Sequence, residues 1–167
     1  MTSKKVEADS EMLSGAPDLP GFIATLDAFL SMEKQRNAEP MFAAVLTDDF
    51  QIGFRGGYQW KGRDGLQTYL DQRAGIFDER LELRHVLSYI PAKEGVVELT
   101  THLEFYFRRW KAPSLVSEEF TGSAFRTWLI RIADNEMRVK QVIIDGFANL
   151  NENARAVFAI PGEGFDE

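Results

Sequence analysis

The amino-acid sequence predicts an α+β fold in which three N-terminal helices pack against a strongly curved, mostly antiparallel sheet. Apolar residues recur at helical spacing in the first half of the chain, whereas after about residue 80 apolar and polar residues alternate with a period of two. Three of the strands predicted there exceed ten residues, which is longer than a flat small sheet normally carries. Long strands twist, so we expect the sheet to curl around the helices and to leave a cone-shaped cavity.

The composition fits one globular domain and narrows the range of partners. The chain has 167 residues, 44% of them hydrophobic, and its 26 acidic against 19 basic residues give a net charge of -7. Nucleic acid and anionic membranes would meet net repulsion, so neither is expected as a partner. The sequence has no cysteine and two histidines, which disfavours thiolate catalysis, disulfides and Cys-based or His-rich metal sites. We therefore expect no metal and no cofactor.

The two ends of the chain are predicted to be tails. Residues 1–18 are polar and charged without periodicity, which is typical of a mobile segment, and residues 159–167 end in an acidic stretch. Residues 19–158 then form the single domain. The first residues contain no apolar run long enough for a signal peptide or a membrane span, so a cytoplasmic protein is expected.

Helical patterns precede the main sheet. The first helix is predicted from apolar positions at helical spacing: Phe22, Ile23, Leu26, Phe29 and Leu30. Asn37 as a cap and Pro40 in the first turn predict a short second helix over residues 41–46. Asp64 and Gln67, three residues apart, predict a capping box at the start of a third helix.

A hairpin and a meander of strands account for the sheet. Phe50, Ile52 and Phe54 alternate with polar or small residues, and a Gly-Gly pair at residues 56–57 favours a tight turn into a return strand. Four further strands are predicted from alternation between turn signals: Leu81 to Ile90, Val96 to Arg109, Phe120 to Ile132 and Met137 to Phe147.

Three segments in this order resemble the nuclear-transport-factor-two-like superfamily, and within it the SnoaL-like domains. They are AAVLTDDF entering the first strand, WKGRDGL entering the third helix, and FTGSAFRTWLIRIADNEMRVKQVIIDG closing the sheet. The resemblance extends roughly from Leu19 to Phe158 and implies the α+β cone fold. It rests on a distributed pattern and by itself implies no activity.

Within that superfamily, the segment LRHVLSYI is similar to scytalone-dehydratase-like enzymes, which remove water from aromatic polyketides without a cofactor. The resemblance places His85 where those enzymes carry their catalytic histidine. The chain departs from them on the strand after Gly122, where they carry small polar residues including an Asn and this chain has Arg126 and Trp128.

A second branch is the β subunit of aromatic-ring-hydroxylating dioxygenases, to which LTTHLEFYFRR, FTGSAF and IIDGFANLNENARAVF are similar. That resemblance implies a structural subunit that holds no iron and binds a dioxygenase large subunit. The stretch between Arg55 and Leu81 is shorter here than in those β subunits.

His85 is the first candidate catalytic residue. Strict alternation places it on one strand face with Leu83, Leu87 and Tyr89, and a histidine among apolar neighbours suits a general acid or base near neutral pH. The alternative is a core histidine hydrogen-bonded to the backbone. Asp145, near the end of the last strand, could orient His85, pair with Arg126, or mark the end of the strand.

Arg126 and Trp128 alternate in register with Ala124 and Ile130. If that face is concave, Arg126 can hold an oxyanion and Trp128 can stack on an aryl ring; if it is convex, Arg126 is an exposed ion pair. The candidate substrate-binding residues are the aromatics expected around the pocket: Phe54, Tyr58, Trp60, Tyr69, Tyr89 and Trp128.

A polar row on the longest strand allows two interpretations. His102, Glu104, Tyr106 and Arg108 share one face, which resembles an acid–base set but also suits a convex surface used for self-association. The interface is the favoured interpretation, and a homo-oligomer, dimer or trimer, is expected.

The hypothesis that combines these features is a cofactor-independent lyase or isomerase acting on a small hydrophobic, aromatic substrate in the cone. His85 would move the proton, Asp145 would orient the imidazole of His85, and Arg126 with a tyrosine would stabilise negative charge on oxygen. Dehydration and deformylation both suit such groups. The alternative is a noncatalytic protein, either a dioxygenase β subunit or a ligand-binding module.

Overall fold

The computed structural model describes residues 7–8, 18–91 and 94–158. The predicted tails, residues 1–18 and 159–167, lie outside these ranges except for residues 7–8 and 18. The helices are α1 (Leu19–Glu33), α2 (Ala38–Ala44), α3 (Gly62–Asp71) and α4 (Glu152–Phe158). The strands are β1 (Glu7–Ala8), β2 (Leu46–Phe54), β3 (Gln59–Lys61), β4 (Ile76–Pro91), β5 (Val96–Arg109), β6 (Glu118–Ala133) and β7 (Glu136–Ala148).

Side-chain caps fix where the first two helices begin. Asp18 accepts a hydrogen bond of 3.0 Å from the backbone N–H of Gly21, at the start of α1. Asn37 accepts one of 3.2 Å from the N–H of Glu39, which confirms the predicted cap of α2. Both bonds satisfy N–H groups that have no partner inside the helix.

The capping box predicted for α3 is wrong. The helix begins at Gly62 without a side-chain cap, and Asp64 already lies within its first turn. Gln67 instead accepts from the N–H of Ala38 at 2.9 Å and donates to the carbonyl of Arg36 at 3.0 Å. Its amide therefore ties α3 to the connection between α1 and α2, because a tertiary partner satisfies it better than the local backbone does.

One sheet contains all the strands of the described residues, in the order β1-β4-β5-β6-β7-β2-β3. Strands β4 to β7 are antiparallel neighbours of 13 to 16 residues, whereas β2 runs parallel to β7 and β1 runs parallel to β4. This α+β architecture, with helices against a curved sheet, confirms the predicted fold class. The helix α4 was not predicted, and it follows the last strand.

The core lies between the helices and the concave face of the sheet. Phe29 of α1 meets Trp128 of β6 edge to face, with ring centroids 5.0 Å apart. The indole N–H of Trp128 donates to Thr101 Oγ1 of β5 at 2.8 Å, so this buried polar group has a partner. The concave face therefore includes Trp128 and, two residues away along β6, Arg126, whose buried carboxylate partner lies on α1.

The pairing of β4 with β5 has three register shifts, and the two that flank His85 change which face the side chains around it occupy. Leu83 is paired with Leu103 and Val86 with Thr101, and all four are buried. Between these two pairs β4 contains one residue more than β5, so His85 is paired with His102 on the convex face. The expectation that His85 shares a face with Leu83 and Tyr89 is wrong, because an extra residue at each bulge inverts the alternation.

The hairpin β2–β3 depends on Gly53. A Cβ at this position would lie 2.2 Å from the backbone oxygen of Tyr58 and 2.6 Å from the side chain of Gln59. We therefore expect Gly53→Ala to lower the free energy of unfolding by about 1–3 kcal/mol, as overpacked substitutions do. Urea unfolding of the variant measures this loss.

Gly75→Ala is the matched control, because no atom lies within 4 Å of a Cβ built there. Its free energy of unfolding should stay within about 0.5 kcal/mol of the wild-type value. Equal losses in the two variants would show that close approach at Gly53 does not matter.

Candidate functional site

A cavity of about 70 Å³ lies between the concave face of the sheet and helices α3 and α4. Strands β4 to β7, helices α3 and α4, the end of β2 and the segment after α3 supply its walls. The lining residues are Phe54, Tyr69, Arg73, Leu81, Phe105, Phe107, Ala124, Arg126, Ile144, Phe147 and Phe158. The polar side chains among them are Tyr69, Arg73 and Arg126, and the other eight are apolar.

Beneath the cavity, α1 and β6 are joined by a buried ion pair. Both oxygens of Glu33 accept hydrogen bonds from Arg126, at 2.9 Å from Nη1 and 3.1 Å from Nη2. The carboxylate is fully buried and the guanidinium side chain is 5% exposed. The Tyr69 hydroxyl donates to the same carboxylate at 3.4 Å. Such bidentate geometry offsets much of the cost of removing both charges from water.

A second carboxylate of the site binds two arginines. Glu79 of β4, with a side chain 4% exposed, accepts from Arg36 at 2.7 Å and from Arg73 at 2.5 Å. Arg36 also donates to the backbone oxygen of Glu33 at 2.8 Å, which connects the Glu79 carboxylate to the end of α1. We call Glu33, Arg36, Arg73, Glu79 and Arg126 the buried ionic cluster.

The cluster sets the protonation of the groups beside the cavity. Burial raises the pKa of Glu33, but the charge and hydrogen bonds of Arg126, helped by Arg73 and Arg36, outweigh it and hold that pKa below its ordinary value. Burial, and then the charge of Glu33, raise the pKa of Tyr69. Glu33 is therefore a carboxylate and Tyr69 a neutral hydroxyl at neutral pH.

Three of the sequence-predicted site residues line the cavity, namely Phe54, Tyr69 and Arg126. The others lie elsewhere. Trp128 is fully buried against Phe29, and Tyr89 packs 6.0 Å from the ring of Phe22. Trp60 lies between Tyr58 and Tyr69 in a chain of edge-to-face rings, with Tyr58 itself 68% exposed.

Asp145 lies on the convex face, where it accepts hydrogen bonds from Arg55 at 2.5 Å and from the Thr127 hydroxyl at 2.6 Å. Strands β5 and β6 separate it from His85. Arg126 faces the opposite side of the sheet and binds Glu33. The geometry therefore gives Asp145 neither of the two partners suggested by the sequence.

His85 forms a pair with His102 on the convex face. Their Nδ1 atoms are 3.1 Å apart, and the rings are stacked with centroids 5.3 Å apart. His102 Nε2 also lies 3.0 Å from the Ser123 hydroxyl. Burial, and then the nearby His85, lower the pKa of His102. This pair lies across the sheet from the cavity.

The described residues contain no group of three or more His, Cys, Asp or Glu side chains placed to hold a metal ion. Within the same residues, no helix is long and apolar enough to cross a membrane.

Sequence reasoning missed most of the site, above all Glu33, Arg73, Glu79 and Phe158. One signal was available for Glu33. It continues the buried stripe of α1 four residues after Phe29, and Phe22 and Leu26 lie on the same stripe. A carboxylate on an apolar stripe indicates a buried partner.

Arg126→Met should lower the free energy of unfolding by about 3–5 kcal/mol at neutral pH, because it leaves Glu33 buried without its bidentate partner. In the wild type the lowered pKa of Glu33 stabilises the fold above the ordinary carboxyl pKa near 4.5, and this stabilisation is lost as the pH falls. In the variant the pKa of Glu33 rises, so its deficit should shrink toward pH 4. Urea unfolding between pH 4 and pH 7 measures the trend.

The double variant Arg126→Met with Glu33→Leu is the matched control. It removes both charges, so it should recover most of the stability lost in the single variant. A deficit that is independent of pH, or that persists in the double variant, would contradict the role given to this ion pair.

No protein-family model matches the chain, and no curated protein matches it. Solved structures do. A candidate scytalone dehydratase from Novosphingobium aromaticivorans has a TM-score of 0.65 at 10% identity, over 81% of this chain and 87% of that chain. A candidate aromatic ring hydroxylase from the same organism has a TM-score of 0.63 at 11% identity, over 80% and 92%.

An NTF2-like protein with a cystatin-like fold, also from Novosphingobium aromaticivorans, has a TM-score of 0.52 at 13% identity, over 90% of this chain and 95% of that chain. Likenesses at such low identity show the fold alone. They confirm the resemblance stated from the sequence at that level: the chain has the NTF2-like, cystatin-like cone fold.

Proposed function

We propose that the cone binds one small, largely apolar molecule of aromatic character. The observation that carries this proposal is the cavity itself, whose wall contains six aromatic side chains and three hydrogen-bonding ones. A concave, mostly apolar site with a few convergent polar groups is the usual form of a small-molecule pocket. Ligand binding, without chemistry, is the function that these residues support best.

The protonation of the polar groups favours binding over proton transfer. The polar side chains on the wall are a neutral phenol and two guanidiniums, and the nearby carboxylate of Glu33 is held in a bidentate pair with a lowered pKa. A general base works best with a pKa near the operating pH. None of the lining residues meets that condition, and His85 lies on the other face of the sheet.

A cofactor-free lyase or isomerase is the second candidate, and one observation favours it. The Tyr69 hydroxyl and the Arg126 guanidinium lie on the same cavity wall. Hydrogen-bond donors of this kind stabilise negative charge that develops on oxygen during dehydration, deformylation or enolisation. The similarity to a candidate scytalone dehydratase is compatible with this candidate. In it, the Tyr69 hydroxyl would donate to the substrate in place of Glu33. Arg126 would act beside it, and His85 would take no part.

The hypothesis of a dioxygenase β subunit and that of a homo-oligomer stay predictions. The row His102, Glu104, Tyr106 and Arg108 lies on the convex face of β5, since Thr101, Leu103 and Phe105 are buried on the other face. Co-purification of a large subunit would support the first hypothesis, and the mass of the purified protein in solution tests the second.

Phe158 of α4 limits the size of the cavity. Its ring stacks on Phe147 at 4.6 Å and meets Phe105 at 5.6 Å. A cavity of about 70 Å³ holds little more than one or two waters, so an aryl ligand must displace this ring. Only molecules in which the ring is displaced can bind the ligand, so the apparent affinity is the intrinsic affinity multiplied by the fraction of molecules in that state.

Phe158→Ala should therefore bind 4-fluorobenzyl alcohol at least about fivefold more tightly than the wild type, because the closed state no longer competes with the ligand. Fluorine NMR titration of the probe measures both dissociation constants. The same samples, incubated with the probe, show whether it is converted, which distinguishes the two candidate functions.

Val157→Ala is the control from the same helix, since Val157 is 45% exposed and does not line the cavity. It should bind the probe as the wild type does, and so should His85→Ala. Failure of both the wild type and Phe158→Ala to bind would overturn the proposed function.

A further inference from the structure

The buried ionic cluster does not balance its own charge. It contains the guanidiniums of Arg36, Arg73 and Arg126 against the carboxylates of Glu33 and Glu79, so it carries one surplus positive charge. The surplus is notable in a chain whose net charge is -7. The side chains of Arg36 and Arg73, which share Glu79, are 18% and 21% exposed, so water solvates the surplus only in part and an anion bound beside the cluster would stabilise it.

The cavity wall presents hydrogen-bond donors and no carboxylate. Its polar lining side chains are Tyr69, Arg73 and Arg126, and the rest of the lining is apolar. The guanidiniums of Arg73 and Arg126 have no acceptor atom and can only donate. The Tyr69 hydroxyl already donates to Glu33 and offers a ligand only its oxygen as an acceptor. A ligand that meets the two arginines therefore gains most when it brings acceptor oxygens, and more still when those oxygens are charged.

Both cavity arginines also have an unused donor. Among the described residues, four buried side-chain N or O atoms have no hydrogen-bond partner, and two of these are the Nε atoms of Arg73 and Arg126. Nη2 of Arg73 is bound to Glu79, and both terminal nitrogens of Arg126 are bound to Glu33. An unsatisfied buried donor is unfavourable, so two of them at one cavity are a second observation, independent of the charge count.

We propose that the ligand of the cone is an anion, with an aromatic body and a carboxylate or phenolate oxygen that lies against Arg73 and Arg126. This inference rests on the proposed function, because it assigns the chemical class of the molecule that the cavity binds. The aromatic wall holds the body of the ligand, and the surplus charge of the buried ionic cluster selects its anionic group.

The test compares two probes of nearly equal shape at neutral pH, one anionic and one uncharged. Fluorine NMR titrations give the dissociation constants of 4-fluorobenzoate and of neutral 4-fluorobenzyl alcohol, in the wild type and in Phe158→Ala. The anion should bind at least about tenfold more tightly than the alcohol, as charge-assisted hydrogen bonds imply. Equal affinities, or tighter binding of the alcohol, would overturn the inference and leave the proposed function intact.

Arg73→Met removes the surplus charge without breaking the other ion pairs. Arg36 still binds Glu79, and Arg126 still binds Glu33. The ratio of the affinity for the anion to that for the alcohol should fall at least about fivefold, because the anion loses a charge-assisted contact and the alcohol at most a neutral one. The circular dichroism spectrum of the variant shows whether it is folded. A preserved preference for the anion would overturn the assignment.

Two further variants separate a specific contact from bulk charge. Arg63→Met changes the net charge equally, but Arg63 lies in α3, pairs with Glu39 and is 52% exposed, so the preference for the anion should be unchanged. Arg73→Lys keeps the charge and should retain most of the preference for the anion. Equal effects of Arg63→Met and Arg73→Met would show that bulk charge alone is responsible.

A third probe distinguishes the two sources of the anionic oxygen. Bound 4-nitrophenol should shift its absorption toward the phenolate form, because a neighbouring cation favours the ionised state. A shift in the wild type that Arg73→Met abolishes supports phenolate binding as well as carboxylate binding. Binding of 4-fluorobenzoate without this shift restricts the ligand class to carboxylates.

Discussion

The pair of Glu33 and Arg126 is the interaction on which the rest of the structure depends. It joins the last residue of α1 to the middle of β6 across the core, with both side chains removed from water. Breaking such a pair costs more than forming it contributes, because the remaining charge cannot be solvated. The ion pair therefore fixes the position of the C-terminal end of α1 against the concave face of the sheet. Tyr69 is fixed with it, since its hydroxyl donates to the same carboxylate.

The arrangement of pairs also locates the surplus charge. Arg126 has both terminal nitrogens on one carboxylate, so Glu33 largely neutralises it. Arg36 and Arg73 share a single carboxylate, that of Glu79, and one of these two arginines is therefore uncompensated. Of these two, Arg73 lines the cavity. Exchange of Arg73 therefore tests the proposed anion binding without breaking the pair of Glu33 and Arg126.

The sequence predicts elements well where a local pattern has a single physical meaning. The apolar spacing from Phe22 to Leu30 and the cap at Asn37 predict α1 and α2, and alternation predicts the long strands. Prediction fails where a tertiary contact replaces a local one, as when Gln67 binds the backbone of α2 instead of capping α3. Prediction also fails for α4, the short helix after the last strand, which contributes the ring of Phe158 to the cavity. Glu33 lies on the apolar stripe of α1, so its burial could be predicted from the sequence, but its partner on β6 could not.

His85 shows most clearly that a histidine at a similar place in the sequence need not lie in the same site of the folded protein. The solved structures that resemble this chain share its fold at 10–13% identity, so strand order and curvature persist when side chains differ. A position along a strand is equivalent between two such proteins only if the register up to that position is the same. One extra residue before His85 carries its imidazole from the concave to the convex face, where it pairs with His102. The polar side chains of the cavity come instead from α3, from the segment that follows it and from β6. The groups that a ligand would meet are therefore determined by the contact between the helices and the sheet.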